Sequence, residues 1–286
     1  TYRYSGLSAN TKYWFRLRAK TPGGLFSDYS NRTKAITPAS VVSVNFNYTM
    51  PDADYPWNNT FASPSITGTL DNLINQSGAI SGLSLELIKI FNGEFTAGVN
   101  TGNNSGVVPD KVLASNYWLD NTQVCQYKLS GMNHSRRYRI GFIGSSSNVG
   151  WFKGNYTATY TINGRTVYLN SWMNSAKVVY IDNVEPDANG SVYLDFSTTA
   201  AAQYGFNAGI IVQDYNDPDA PASGTISSGS FLETTPGLEV EETTGETLTA
   251  RASSAKTRLY PNPFTDFVNI DFNNTSASDN VSVEVY

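Results

Sequence analysis

The residues most able to do chemistry in this 286-residue chain are its tryptophans and the amides beside them. Trp57 lies in Tyr55-Pro56-Trp57-Asn58-Asn59-Thr60, and Trp118 in Asn116-Tyr117-Trp118-Leu119-Asp120. Trp151 follows Asn148-Val149-Gly150, and Trp172 lies in Asn170-Ser171-Trp172-Met173-Asn174. A sugar ring presents apolar C–H faces that stack on aromatic planes, while its hydroxyls need amide and carboxylate partners. Four tryptophans in loop-like segments, each close to Asn or Asp, suit carbohydrate recognition above a rigid scaffold. The candidate binding set is Trp57, Asn58, Asn59, Tyr117, Trp118, Trp151 and Trp172. For any single one of these rings, plugging the end of a hydrophobic core is at least as good an explanation.

Other chemistries are poorly supplied. Cys125 is the only cysteine, so an intrachain disulfide, a CxxC redox pair and a Cys-rich zinc site are excluded, and Cys125 is expected to be a small buried hydrophobe. His134 is the only histidine, and its setting, Gly131-Met132-Asn133-His134-Ser135-Arg136-Arg137, reads as a solvated turn between strands. Glu86, Glu94, Glu185 and Asp195 fall on alternating strands or turns with no recognisable active-site pattern, and Gly144-Ser145-Ser146 is no nucleophile elbow. These 286 residues are therefore not expected to be an enzyme. A net charge of -5 and a pI near 4.9 leave no basic stripe for a phosphate backbone, so no nucleic-acid partner is expected. No apolar run approaches the roughly 20 residues of a membrane-spanning helix.

The elements that must position the aromatics are strands. Aromatic residues make up 13% and charged residues only 15%, with Asn, Ser, Thr and Gly plentiful, a balance that favours strands and polar loops. From Val41 to Asp214 short alternating runs recur, each bounded by Gly, Asn, Asp or Pro. The clearest are 83–87, 124–129, 138–143, 157–162, 178–181, 192–196 and 209–212. Without a convincing amphipathic helix, this predicts an all-β fold, a jelly-roll-type β-sandwich. Residues 215–257 are acidic and rich in Ser, Thr, Gly and Pro, which reads as an extended linker.

Three resemblances add to this reading. In residues 1–38, Gly6-Leu7 before Thr11-Lys12-Tyr13, the Phe15-Arg16-Leu17-Arg18-Ala19 strand and Ser27-Asp28-Tyr29-Ser30-Asn31 resemble the last three strands of a fibronectin type III module. That likeness implies a partial sandwich, with Tyr13 at the tyrosine corner, its hydroxyl bonded back to backbone. Residues 41–214 resemble galactose-binding-like and malectin-like β-sandwiches. The likeness rests on Val44-Asn45-Phe46 with Pro56-Trp57-Asn58-Asn59, Leu129-Ser130-Gly131 through Tyr138, Tyr160-Thr161-Ile162-Asn163-Gly164, and Val184-Glu185-Pro186-Asp187-Ala188-Asn189-Gly190. It implies a noncatalytic binding or spacer role. No cofactor is expected beyond the structural calcium that such sandwiches sometimes hold, for which Asp52 with Asp54, or Asp187 with Asn189, would supply oxygens. Turn formation explains those acids equally well.

Residues 258–286 contain Tyr260-Pro261-Asn262-Pro263-Phe264 followed by the Val268-Asn269-Ile270 strand. They resemble the opening of a type A C-terminal sorting domain of type IX secretion substrates. The likeness implies a secreted protein or one attached to the outer cell surface, with the type IX machinery as a partner. It also implies a chain continuing at both ends, and any catalytic domain would lie upstream. Two expectations follow: a carbohydrate-binding accessory region with a polysaccharide or glycan ligand, or a structural or adhesive surface protein whose sandwiches act as spacers.

Overall fold

A computed structural model describes residues 2–5, 7–20, 25–147, 155–215, 225–226, 257–261, 267–272 and 280–285. In chain order the strands begin with β1 (Tyr2–Ser5), β2 (Lys12–Lys20) and β3 (Thr33–Ile36). The long middle segment holds β4 (Ser40–Asn45), β5 (Asn58–Asn59), β6 (Gly68–Leu70), β7 (Ser84–Lys89) and β8 (Gly93–Phe95). It continues with a five-residue helix α1 (Asp110–Ala114), then β9 (Asn116–Asp120), β10 (Cys125–Ser130), β11 (Arg137–Ile143), β12 (Thr157–Ile162) and β13 (Arg165–Asn170). It ends with β14 (Val179–Val184), β15 (Val192–Thr198), β16 (Tyr204–Asn207), β17 (Gly209–Tyr215) and β18 (Thr225–Ile226). Last come β19 (Thr257–Pro261), β20 (Phe267–Phe272) and β21 (Asn280–Val285).

The chain forms two compact units, and the larger, built from β4 to β18, is an all-β sandwich. Its two six-stranded sheets have the orders β13-β12-β15-β10-β7-β6 and β18-β14-β11-β17-β4-β5. Strands form here because their apolar residues recur with period two, which sends alternate side chains to one face. On β10 Cys125, Tyr127 and Leu129 point inward, and their cross-strand partners on β15, namely Phe196, Leu194 and Val192, do the same. Facing them from the second sheet are Val42, Val44, Ile140, Phe142, Ile210 and Val212. Rings fill the centre. Phe142 stacks on Tyr160 at 4.4 Å, while Phe46 lies 5.0 Å from Tyr127 and 5.5 Å from Tyr117. Cys125 is fully buried, as expected, and burial pushes its thiol up to about 12. His134 lies exposed in the turn before β11.

The second sheet is covered on its other face as well. Val41, Ile143, Ile211 and Val178 pack there with Trp57, Ala53 and the α1 residues Val112 and Leu113. A five-residue helix buries two side chains, too little amphipathic pattern to register in the sequence.

In the smaller unit β2 pairs antiparallel with β3 and β21, and β20 pairs with β1 and β19. Tyr13 on β2 accepts a hydrogen bond at its hydroxyl from the Ser8 backbone N–H at 2.7 Å. Tyr260 and Pro261 lie on β19, whereas Asn262, Pro263 and Phe264 fall outside the described residues. So does nearly all of the expected linker.

Candidate functional site

Four of the expected sugar contacts serve the scaffold instead. Trp57 is only 4% exposed and packs in the second core. The Asn58 amide bridges Ser43 O, Ile74 O and Ile74 N, which holds the short parallel strand β5 against its surroundings. Asn59 accepts from the Asn45 amide and Ala53 N and donates to Ala53 O. Tyr117 is 1% exposed, with its hydroxyl among Thr60 Oγ1, Asn47 O and Ala62 O, and burial raises its pKa far above the usual phenol value. Trp57, Asn59 and Tyr117 are thus buried and Asn58 is half-buried. The Asn58 and Asn59 amides are engaged with neighbouring backbone and with Asn45, which fixes β5 in place.

The remaining tryptophans divide. Trp151 lies outside the described residues. Trp172 is 42% exposed in a turn bridged to Ser146, and its N–H is held by the Asn170 side chain. Trp118 is not in a loop at all. It sits on β9, where Tyr117 and Leu119 point into the core and Trp118 points out.

Around Trp118 the structure assembles an aromatic surface on the small sheet β16-β9-β8. The register aligns Gly93, Trp118 and Phe206 in one row and Asp120 with Tyr204 in the next. Trp118 meets Tyr204 edge-on at 5.6 Å and 82°, Phe206 lies 4.4 Å from Phe95, and Tyr156 packs edge-on against Phe206 at 5.2 Å. Gly93 makes this possible. A Cβ there would come within 2.9 Å of Trp118 Nε1, so a larger residue would have to push the indole aside from its place across the neighbouring strand. Trp118, Tyr204 and Phe95 remain half-buried rather than enclosed.

Polar groups border this surface. Asp120 accepts from Thr122 N, Thr122 Oγ1 and the Asn92 amide, and the Thr122 bonds hold its carboxyl below the usual carboxylate range. Asn92 Oδ1 accepts from Asp120 N and from the Gln123 amide, and Gln203 donates to the Tyr204 hydroxyl. The result is a set of aromatic faces beside amide and carboxylate groups already held in place, which is what a sugar ring needs for stacking and hydroxyl recognition. Tyr204-Gly205-Phe206 is too short an alternation to stand out, and nothing in the sequence places it beside Trp118.

The other candidates have structural partners. Asp52 accepts from the Asn47 amide, Asp54 pairs with Lys111 at 2.6 Å, and Asp187 caps its own turn through Asn189 N and Ser191 N. Among the described residues no group of three or more His, Cys, Asp or Glu could hold a metal ion. Glu94 accepts from Tyr48 N, Thr49 N, Thr49 Oγ1 and Ser115 Oγ; burial pulls its pKa up, but these bonds bring it below normal. Glu185 pairs with Arg137, and Asp195 accepts from Gln126.

One buried ionic pair was not anticipated. Arg139 and Asp182 lie 2.7 Å apart beside Tyr180, Gln213 and Tyr215, at a register shift between β11 and β14. The contact is close but misaligned, and neither Asp182 oxygen gains a hydrogen bond. Burial raises the Asp182 pKa against the pull of Arg139, whose guanidinium also lies 4.1 Å from the Tyr180 ring.

The chain matches no protein-family model, and no curated protein matches it. No helix among the described residues is long and apolar enough to cross a membrane.

Proposed function

We propose that this chain is a noncatalytic carbohydrate-binding region of a secreted or cell-surface multidomain protein, exported through its C-terminal sorting segment. The observation that carries the binding part is the Trp118–Tyr204 surface over Gly93, bordered by Asn92, Asp120 and Gln123. Export rests on the Tyr260-Pro261-Asn262-Pro263-Phe264 pattern alone. A glycan array and insoluble-polysaccharide pull-down with the full chain, set against Trp118→Ala and Tyr204→Ala variants checked for folding, tests the binding. Loss in a folded variant supports the reading. Absence of binding by the folded parent favours the spacer or adhesin reading, for which the burial of Trp57 and Tyr117 already speaks. Export is tested by fractionating cells that naturally produce the protein, made with and without residues 258–286. Secretion unaffected by the deletion removes the sorting role.

A further inference from the structure

The outer face of the first six-stranded sheet carries two exposed tyrosine rings among polar side chains. Strand pairing places its outward residues in rows. Tyr168, Thr159 and Ser197 form one, Thr166, Thr161, Asp195 and Gln126 the next, and Tyr193, Lys128 and Glu86 the third. Tyr168 is 51% and Tyr193 46% exposed, large apolar rings left in water on an otherwise hydroxyl- and amide-bearing face. They stand two strands apart and four residues along, and Thr161 lies midway on the diagonal between them. Strand spacing and rise put the two rings roughly 16 Å apart, a span of several pyranose units.

The chemistry of the face selects among partners. Lys128 lies directly opposite Glu86, so their charges offset, and the Asp195 carboxylate accepts from the Gln126 amide at 2.6 Å. Thr161 and Thr166 share a hydrogen bond at 2.9 Å. There is no basic stripe for a polyanion and no continuous apolar centre of the kind a protein partner buries. Two separated rings with fixed hydroxyl, amide and carboxylate groups between them match a long, neutral polyol.

We propose that this face binds an extended, uncharged polysaccharide chain laid along the Tyr168–Thr161–Tyr193 diagonal. This rests on the carbohydrate reading above and adds a site that only long chains fill. The test measures binding of the full chain to suspended cellulose, xylan and mannan, and to their trisaccharides, with alginate as the charged control. Tyr168→Ala/Tyr193→Ala, and separately Thr161→Arg, which raises a long side chain midway along the diagonal, are compared with the parent. Both changes lie on the surface, and thermal unfolding checks that the fold is retained. Expected is a loss of about tenfold or more for a polymer, with trisaccharide binding unchanged. Parental polymer binding by both variants overturns the proposal and leaves the Trp118 reading standing. Failure of the parent to bind any glycan overturns both. Preference for alginate over the neutral polymers overturns the neutral-chain assignment.

Discussion

Two corners of this molecule use one local device and spend it differently. In the smaller unit Gly6 precedes Tyr13 by seven residues, and in the sandwich Gly131 precedes Tyr138 by the same interval. In each, the tyrosine hydroxyl reaches back five residues to accept a backbone N–H, Ser8 at 2.7 Å and Asn133 at 2.9 Å. The first ring is half-buried against Phe15, 6.5 Å away, whereas Tyr138 is 4% exposed and belongs to the main core with Ile140 and Val212. In the turn behind Tyr138, Asn133 Oδ1 accepts from Ser135 N and Oγ, and Gly131 takes a φ of 80°. The same hydrogen bond should therefore matter more where burial removes water as a competitor.

Perturbing each corner tests that contrast. Tyr138→Ala should cost the most, about 3–5 kcal/mol in urea unfolding of the sandwich, because it opens a ring-sized cavity. Gly131→Ala should follow at about 2 kcal/mol or more, since the φ is left-handed and the new Cβ would lie 2.0 Å from Gly82 O. Tyr138→Phe keeps the ring and orphans the Asn133 N–H, for about 1–2 kcal/mol and faster exchange of that amide. A smaller effect is expected with pH. Burial, partly offset by the Asn133 N–H, raises the Tyr138 pKa, so the folded state holds its proton more tightly than the unfolded one. Its contribution is complete below about pH 10 and lost as pH rises through the folded value, so stability should fall less steeply above pH 10 in Tyr138→Phe than in the parent. Tyr13→Phe should cost least, about 0.5 kcal/mol, read as faster exchange at Ser8. Equal effects at the two corners would show that burial does not set the value of the bond.

Much of the sandwich was legible because its strands obey period two. The runs at 83–87, 124–129, 138–143, 157–162, 178–181, 192–196 and 209–212 all overlap observed strands. The strands around the candidate site were not. Asn and Asp at the ends of β9 disguised it as a loop, β8 is three residues long, and β16 is four. Short strands with polar ends carry too few alternations to stand out from turns.

By itself the sequence determined the all-β class, the buried lone cysteine and the solvated histidine, because these follow from composition, periodicity and turn chemistry within a few neighbouring residues. Only the tertiary structure decided which aromatics face water. Alternation sends Tyr117 and Trp118 to opposite sides of β9, but not which side is core. That choice depends on Phe46 and Phe91 packing against Tyr117, and on Gly93 and Tyr204 arriving beside Trp118 from strands distant in the chain. Burial is a property of what covers a residue, and the cover here comes from elsewhere in the sequence.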